Sequence, residues 1–271
     1  MRCSIPVSAM TERGSSGGLT AGSARLCILP ARADVADAVA GLLADAIRAA
    51  PIAVLGLATG ATMVPVYRQL VAILRTQRID ASRVTTFNLD EYVGLDRQHP
   101  QSYHTYMARH LFLPGGFSPG RTFVPDGVAA DLTAACDAYE RAIRAVGGID
   151  LQVLGLGPNG HIGFNEPGAA WDSRTHVVDL SSETRRVNAR FFRKSGAPVP
   201  HQAVTMGLGT IMEARRIAVV VLGHAKADIL ARVITSGPSL HYPATALAGH
   251  PCVTWYMDEA AAGRLPPFLR K

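Results

Sequence analysis

The stretch "IDLQVLGLGPNGHIGFNEPG", residues 149–168, decides how the rest of the chain is read. Its first nine residues form a mostly apolar run of strand length, which reads as a buried strand. The run breaks into glycines, two asparagines, His161 and Glu166. A polar turn explains that composition. So does a catalytic loop, because open α/β sheets bind ligands outside the carboxyl ends of their strands. The two readings separate when the other junctions of the chain are set beside this one.

Outward from this stretch, strand-like runs alternate with helical spacing. Residues 25–30, 52–58, 84–90, 176–180, 216–223 and 252–258 read as strands. Residues 34–50, 63–75, 102–112, 129–147, 182–192 and 225–234 carry apolar residues at helical intervals. This alternation predicts an α/β fold, a doubly wound, mostly parallel sheet of Rossmann-like kind with helices on both faces. The Gly/Ser/Thr-rich segment "TERGSSGGLTAGSA" (11–24) lacks apolar periodicity, so residues 1–24 read as a disordered leader and residues 25–271 as one domain.

Composition narrows the partners. The 271 residues carry 27 Lys and Arg against 21 Asp and Glu, a net charge of +6, which favours an anionic ligand. The positive charge is spread out with no basic run, so nucleic acid and membrane surfaces are not indicated, whereas a phosphorylated small molecule fits. Cys3, Cys27, Cys136 and Cys252 lie far apart and form no CxxC pair, which argues against a disulfide framework or a zinc site. No apolar run is long enough to span a membrane and none resembles a signal peptide, so a cytoplasmic location is expected.

Four strand ends then stand out. Thr59-Gly60-Ala61-Thr62 joins a strand to a helix, where free N–H groups, the helix dipole and two hydroxyls suit a phosphate; a turn with Thr as helix cap fits equally. Asp90 and Glu91 follow another strand and, being adjacent in extended backbone, point to opposite faces, so only one can face a crevice and shuttle a proton. At the opening stretch, His161 can take and return a proton near neutral pH, with Glu166 to orient or charge-stabilise it. No serine or cysteine nucleophile lies nearby. Of the later basic residues, Arg186 and Arg190 share one face of a helix and Lys226 begins the next; either an arginine or the lysine can close over a phosphate, while Arg185 reads as a solvated position.

Together these segments resemble the glucosamine-6-phosphate deaminase (isomerase) family over about residues 25–258. The resemblance rests on "LGLATGAT", "TFNLDEYVGLDRQHPQSYHTYM", "GLGPNGHIGFNEPG", "SRTHVVDLSSETRRVNARFF", "AVTMGLGTIMEARRIAVVVLGHAKA" and "WYMDEA", in that order. It implies a fold shared with 6-phosphogluconolactonases and the conversion of glucosamine 6-phosphate and water to fructose 6-phosphate and ammonia. Asp90 would move the proton between C2 and C1. His161, paired with Glu166, would open the pyranose ring. Thr59, Gly60, Ala61, Thr62, Arg190 and Lys226 would hold the phosphate. The expected partner is an amino-sugar phosphate, with self-association left open and no cofactor or metal, since imine hydrolysis needs only water.

Three positions depart from the family pattern. Asn159 stands where many members carry an acid, which leaves it a hydrogen-bonding orienter. Ala61 replaces a common second glycine in the phosphate loop. His176 and Val178 occupy places where allosterically activated members carry basic side chains, so the resemblance does not extend to that activation or to the accompanying hexamer. Competing readings are galactosamine-6-phosphate deaminase or 6-phosphogluconolactonase on the same fold, and a non-enzymatic sugar-phosphate sensor. Retention of Asp90, His161 and Glu166 argues against the sensor, which needs no proton-transfer groups.

Overall fold

The computed structural model describes residues 24–192 and 198–270, so the segment read as a leader, apart from Ala24, lies outside the described residues. The main sheet contains β1 (Arg25–Leu29), β2 (Val54–Leu57), β3 (Thr85–Asn88), β5 (Thr122–Phe123), β6 (Leu151–Gly155), β9 (Ile217–Val221) and β10 (Val253–Asp258). Their spatial order is β1-β10-β9-β6-β2-β3-β5, and every neighbouring pair is parallel. β2 and β9 are buried along their whole length, as the uninterrupted apolar runs require.

Strand order reverses direction between β2 and β6. From β2 the chain winds towards β3 and β5; from β6 it winds towards β9 and β10. Strand-to-helix loops diverge at such a point and leave a crevice at the carboxyl ends of the strands. The loop after β2 begins at Ala58, and the loop after β6 is the stretch quoted at the outset.

Helices α1 (Arg32–Ala49) and α2 (Met63–Thr76) pack on each other, and α1 lies along β1, β9 and β10. Helix α5 (Leu132–Ala145) reaches β3 through Tyr139, whose ring stands edge-on to Phe87 at 5.6 Å between centroids. Residues 102–112, read as one helix, form α3 (Tyr103–Met107) running into a π-helical turn, Ala108–Phe112. The short α4 (Leu113–Gly115) follows it. The remaining helices are α6 (Ser182–Phe192), α7 (Leu208–Met212), α8 (Ala227–Thr235) and α9 (Glu259–Ala262).

Two strand expectations change. Residues 176–180 do form a strand, β7 (His176–Asp179), but it belongs to a small antiparallel sheet ordered β4-β8-β7. The other members are β4 (Asp90–Tyr92) and β8 (Gln202–Thr205), a strand too short to stand out in the sequence. The expected strand 84–90 accordingly splits at Leu89. The Leu89 N–H donates to Leu57 O of the main sheet at 3.0 Å, while its carbonyl accepts from Met206 N at 2.6 Å on the small-sheet side. One residue thus joins the two sheets and places Asp90 just beyond the end of β3.

A buried carboxylate fixes the far side of the small sheet. Glu140 on α5 accepts from Arg174 Nη2 at 2.7 Å, Thr175 N at 2.9 Å, Thr175 Oγ1 at 2.5 Å and Thr210 Oγ1 at 2.6 Å. Burial alone would raise its pKa, but these donors lower it below the usual glutamate range. Its contribution is therefore present at neutral pH and lost as pH falls through the carboxylate range. Replacing Glu140 with Ala strands these donors and should cost about 3 kcal/mol. Urea denaturation at pH 7 checks this; an unchanged midpoint would show that the network contributes nothing net.

Candidate active site

Above the switch point lies a cavity of about 560 Å³ lined by residues of both diverging loops. Thr59, Gly60, Ala61, Thr62, Asp90, Asn159, His161, Arg190 and Lys226 all line it. Glu166 reaches it indirectly, through its contacts with Asn159 and His161.

The loop at 59–62 turns on Gly60, whose φ of +98° lies in the region glycine tolerates best. Arg78 is the one non-glycine with positive φ among the described residues, so Ala61 carries no such strain in replacing a second glycine. The Thr62 side chain forms no capping hydrogen bond, which sets aside the helix-cap reading and leaves its hydroxyl beside the first turn of α2. Tyr106 anchors the loop from α3, its hydroxyl donating to Gly60 O at 2.8 Å. Across the cavity, Gly223 precedes the turn that carries Lys226, and its N–H donates to Asp258 Oδ1 at 2.9 Å. Burial, followed by the positive charge of Arg190, lowers the Lys226 pKa to about 8. Arg190, Lys226 and the residues at the start of α2 thus line one cavity, a combination that suits an anion.

Asp90 and Glu91 diverge as extended backbone requires. Glu91 turns away from the cavity and accepts from Tyr92 N at 2.9 Å, Tyr103 N at 2.9 Å and His104 N at 3.0 Å, clamping the start of α3. Asp90 faces the cavity and is 6% exposed. Burial and, secondarily, the Glu91 charge push its pKa up to about 8. Gly163 of the opposite loop lies against it: a Cβ there would stand 3.8 Å from Asp90 Oδ2. The two polar strand ends read separately in the sequence therefore face one another.

The loop after β6 owes its shape to Gly157, where any Cβ would overlap the His161 imidazole. His161 Nδ1 lies 3.7 Å from Glu166 Oε2, beyond hydrogen-bond reach. Asn159 ties the loop backbone to the carboxylate instead: its Nδ2 donates to Glu166 Oε2 at 2.6 Å, and its Oδ1 accepts the backbone N–H of His161 at 3.2 Å, while the imidazole Nδ1 has no hydrogen-bond partner among the described residues. Burial opposes the Glu166 charge, but contact with His161, Thr184 and Asn159 outweighs it and holds the pKa at about 2. Asn159 thus supplies geometry where an acid would have supplied charge.

One side of the cavity is an aromatic wall that the strand-end reading of the sequence does not single out. Tyr92, Tyr103, Phe164 and Phe192 line the cavity, with Tyr92 4.9 Å from Tyr103 and 5.8 Å from Phe164 between ring centroids. The signal was present in "DEYVGL" and "SYHTYM", whose aromatics lie next to the acidic pair and along one helix. Of the arginines on α6, Arg190 lines the cavity, whereas Arg186 lies 3.9 Å from Glu183 in an exposed pair and Arg185 contacts His201.

Comparison with known proteins agrees with this geometry. Residues 31–255 match the family model described as glucosamine-6-phosphate isomerases/6-phosphogluconolactonase, and the chain belongs to that family. A glucosamine-6-phosphate deaminase of Rhodopirellula baltica is 50% identical over 238 residues, covering 88% of this chain and 94% of its own. Glucosamine-6-phosphate deaminase 1 of Bacillus subtilis is 43% identical over 233 residues, covering 86% and 96%. The solved structure of a monomeric glucosamine-6-phosphate deaminase superposes with a TM-score of 0.86 at 42% identity, covering 88% and 99%. A 6-phosphogluconolactonase from Trypanosoma brucei has a TM-score of 0.71 at 19% identity, covering 89% and 98%, and shares the fold.

The raised pKa of Asp90 has a consequence for stability. Its carboxyl holds its proton more tightly folded than unfolded, where the value is about 3.9. Folding stability is therefore lost progressively as pH rises from about 4 towards 8. Asp90→Asn removes that loss, so the variant should melt higher than wild type at pH 8, by about 2–8 °C. The gain should vanish at pH 4. Thermal melts at the two pH values check this; a variant less stable at pH 8 would contradict the buried, unpaired state of Asp90.

Proposed function

We propose that the protein is a glucosamine-6-phosphate deaminase, converting glucosamine 6-phosphate and water to fructose 6-phosphate and ammonia. The observation that carries this reading is the joining in one cavity of an anion cradle (Thr59–Thr62, Arg190, Lys226) with two separately tuned proton-transfer groups, Asp90 and the His161–Glu166 pair. A sensor would need the first alone. Homologues named as deaminases at 43–50% identity support the same reading.

In this reading the phosphate sits at the Thr59–Thr62 loop before α2 with Arg190 and Lys226 about it, and the sugar extends across the aromatic wall. His161 takes the anomeric hydroxyl proton and returns it to the ring oxygen, opening the pyranose to an aldehyde. Glu166, held ionised, stabilises the imidazolium formed on the way. Asp90 removes the C2 proton and delivers it to C1. A carboxylate with its pKa raised is a stronger base than an ordinary one, and it faces a cavity from which bound sugar displaces water. The resulting C2 imine is hydrolysed by water and releases ammonia.

The two tuned groups set a pH optimum. Asp90 acts as base only when deprotonated, so kcat/KM falls as pH drops below about 8. Lys226 binds phosphate only when protonated, so kcat/KM falls again above about 8. A narrow bell centred near pH 8 is expected, with Lys226→Arg carrying the alkaline limb to higher pH because a guanidinium does not titrate there. A pH-independent profile between 6 and 9 would remove these assignments. The activity itself is checked by ammonia release from glucosamine 6-phosphate, with galactosamine 6-phosphate and 6-phosphogluconolactone alongside. No ammonia from the gluco substrate would overturn the reading, and lactone hydrolysis in its place would move the protein to the lactonase branch.

A further inference from the structure

Glu166 makes a second set of contacts that the proposed mechanism does not use. Its Oε2 is committed to the catalytic loop. Its Oε1 faces the first turn of α6, where Thr184 Oγ1 donates at 2.5 Å and Ser181 Oγ lies at 3.2 Å. The two hydroxyls are not equivalent. Ser181 has a single proton and two acceptors within reach, Glu166 Oε1 and Thr184 Oγ1, the latter at 3.0 Å. Its own oxygen also accepts the Thr184 N–H at 3.1 Å, so Ser181 chiefly caps the helix. Thr184 commits its proton to the carboxylate at the shorter distance. It is 7% exposed, so water does not readily replace it.

We infer that Thr184 is a positioning residue for ring opening: its hydroxyl pins Oε1 of Glu166 and so turns Oε2 towards Asn159 and His161. The inference rests on the deaminase reading and deepens it. A carboxylate held on one oxygen alone is free to rotate about its terminal bond. Held from α6 on one side and by Asn159 on the other, it keeps one orientation, as a dyad that works on a single hydroxyl proton requires. The same helix carries Arg190, which lines the same cavity as Thr184.

The test uses Thr184→Val, which keeps the branched shape and removes the donor, and Thr184→Ser, which keeps the donor. The kcat on glucosamine 6-phosphate is measured for each, together with the Kd of the open-chain analogue 2-amino-2-deoxyglucitol 6-phosphate, which binds without ring opening. Loss of a charge-assisted hydrogen bond predicts a kcat at least about tenfold lower for T184V. T184S should recover most of it, and analogue Kd should stay within about twofold of wild type in both variants. Wild-type kcat in T184V would overturn the inference. So would analogue binding weakened in step with kcat, since that would mean a displaced helix. Absence of ammonia from the wild-type enzyme is a separate result that fails the deaminase reading itself.

Discussion

A carboxyl group sealed at the seam between two sheets, with a negative neighbour and no compensating ion pair, costs stability that a protein serving structure alone would not give up. Asp90 is that group: the neighbouring charge that acts on it is the negative one of Glu91. Its position depends on the chain leaving the parallel sheet at Leu89, which bonds to β2 with one polar group and to the start of α7's approach at Met206 with the other. Asp90 is then the first residue of β4, opposite Thr205, with its side chain turned into the crevice while Glu91 turns out. A continuous strand through residues 84–90 would have carried the same carboxylate along the sheet instead of across its edge.

The rest of the site is organised around that placement. Two carboxyl groups, one lining the cavity and one just behind Asn159 and His161, have proton affinities driven in opposite directions, Asp90 up to about 8 by burial and Glu166 down to about 2 by its donors. Environments that separate like groups in this way divide base work from electrostatic support within one pocket. Arg190 and Lys226 line the same cavity as the Thr59–Thr62 loop at the start of α2, and the charge of Arg190 acts on Lys226. The Glu140 cluster lies outside the cavity and acts at one remove, fixing Arg174 and Thr175 just ahead of β7 and the β4-β8-β7 sheet that carries Asp90.

Much of this was legible in the sequence because its signals are local. The apolar runs at 52–58, 149–157 and 216–223 mark strands of the parallel sheet, and the residues just after them supply Thr59–Thr62, Asn159, His161 and Lys226 to the cavity lining. Alternation of adjacent side chains separated Asp90 from Glu91 correctly. What escaped was non-local. β8 and β4 are four and three residues long, and their pairing joins segments more than a hundred residues apart, which no local period records. The π-helical turn at Ala108–Phe112 has the same apolar spacing as a helix. Asn159 read as a missing charge, and only the folded loop shows its side chain holding the Glu166 carboxylate and the backbone N–H of His161 together. Thr184 gave no signal, being one hydroxyl on a polar helix, and its meaning appears only when α6 is folded against Glu166.

The account stands or falls on the protonation state of Asp90, and that can be read without any assay of activity. Protein labelled with 13C at aspartate side chains, titrated by NMR between pH 3 and 10 with Asp90→Asn as the assignment control, reports that carboxyl directly. The predicted midpoint lies near pH 8, far above the other aspartates. A midpoint near 4, the ordinary value of about 3.9 for a solvated aspartate, would show that the seam is open to water and that Asp90 is no tuned base.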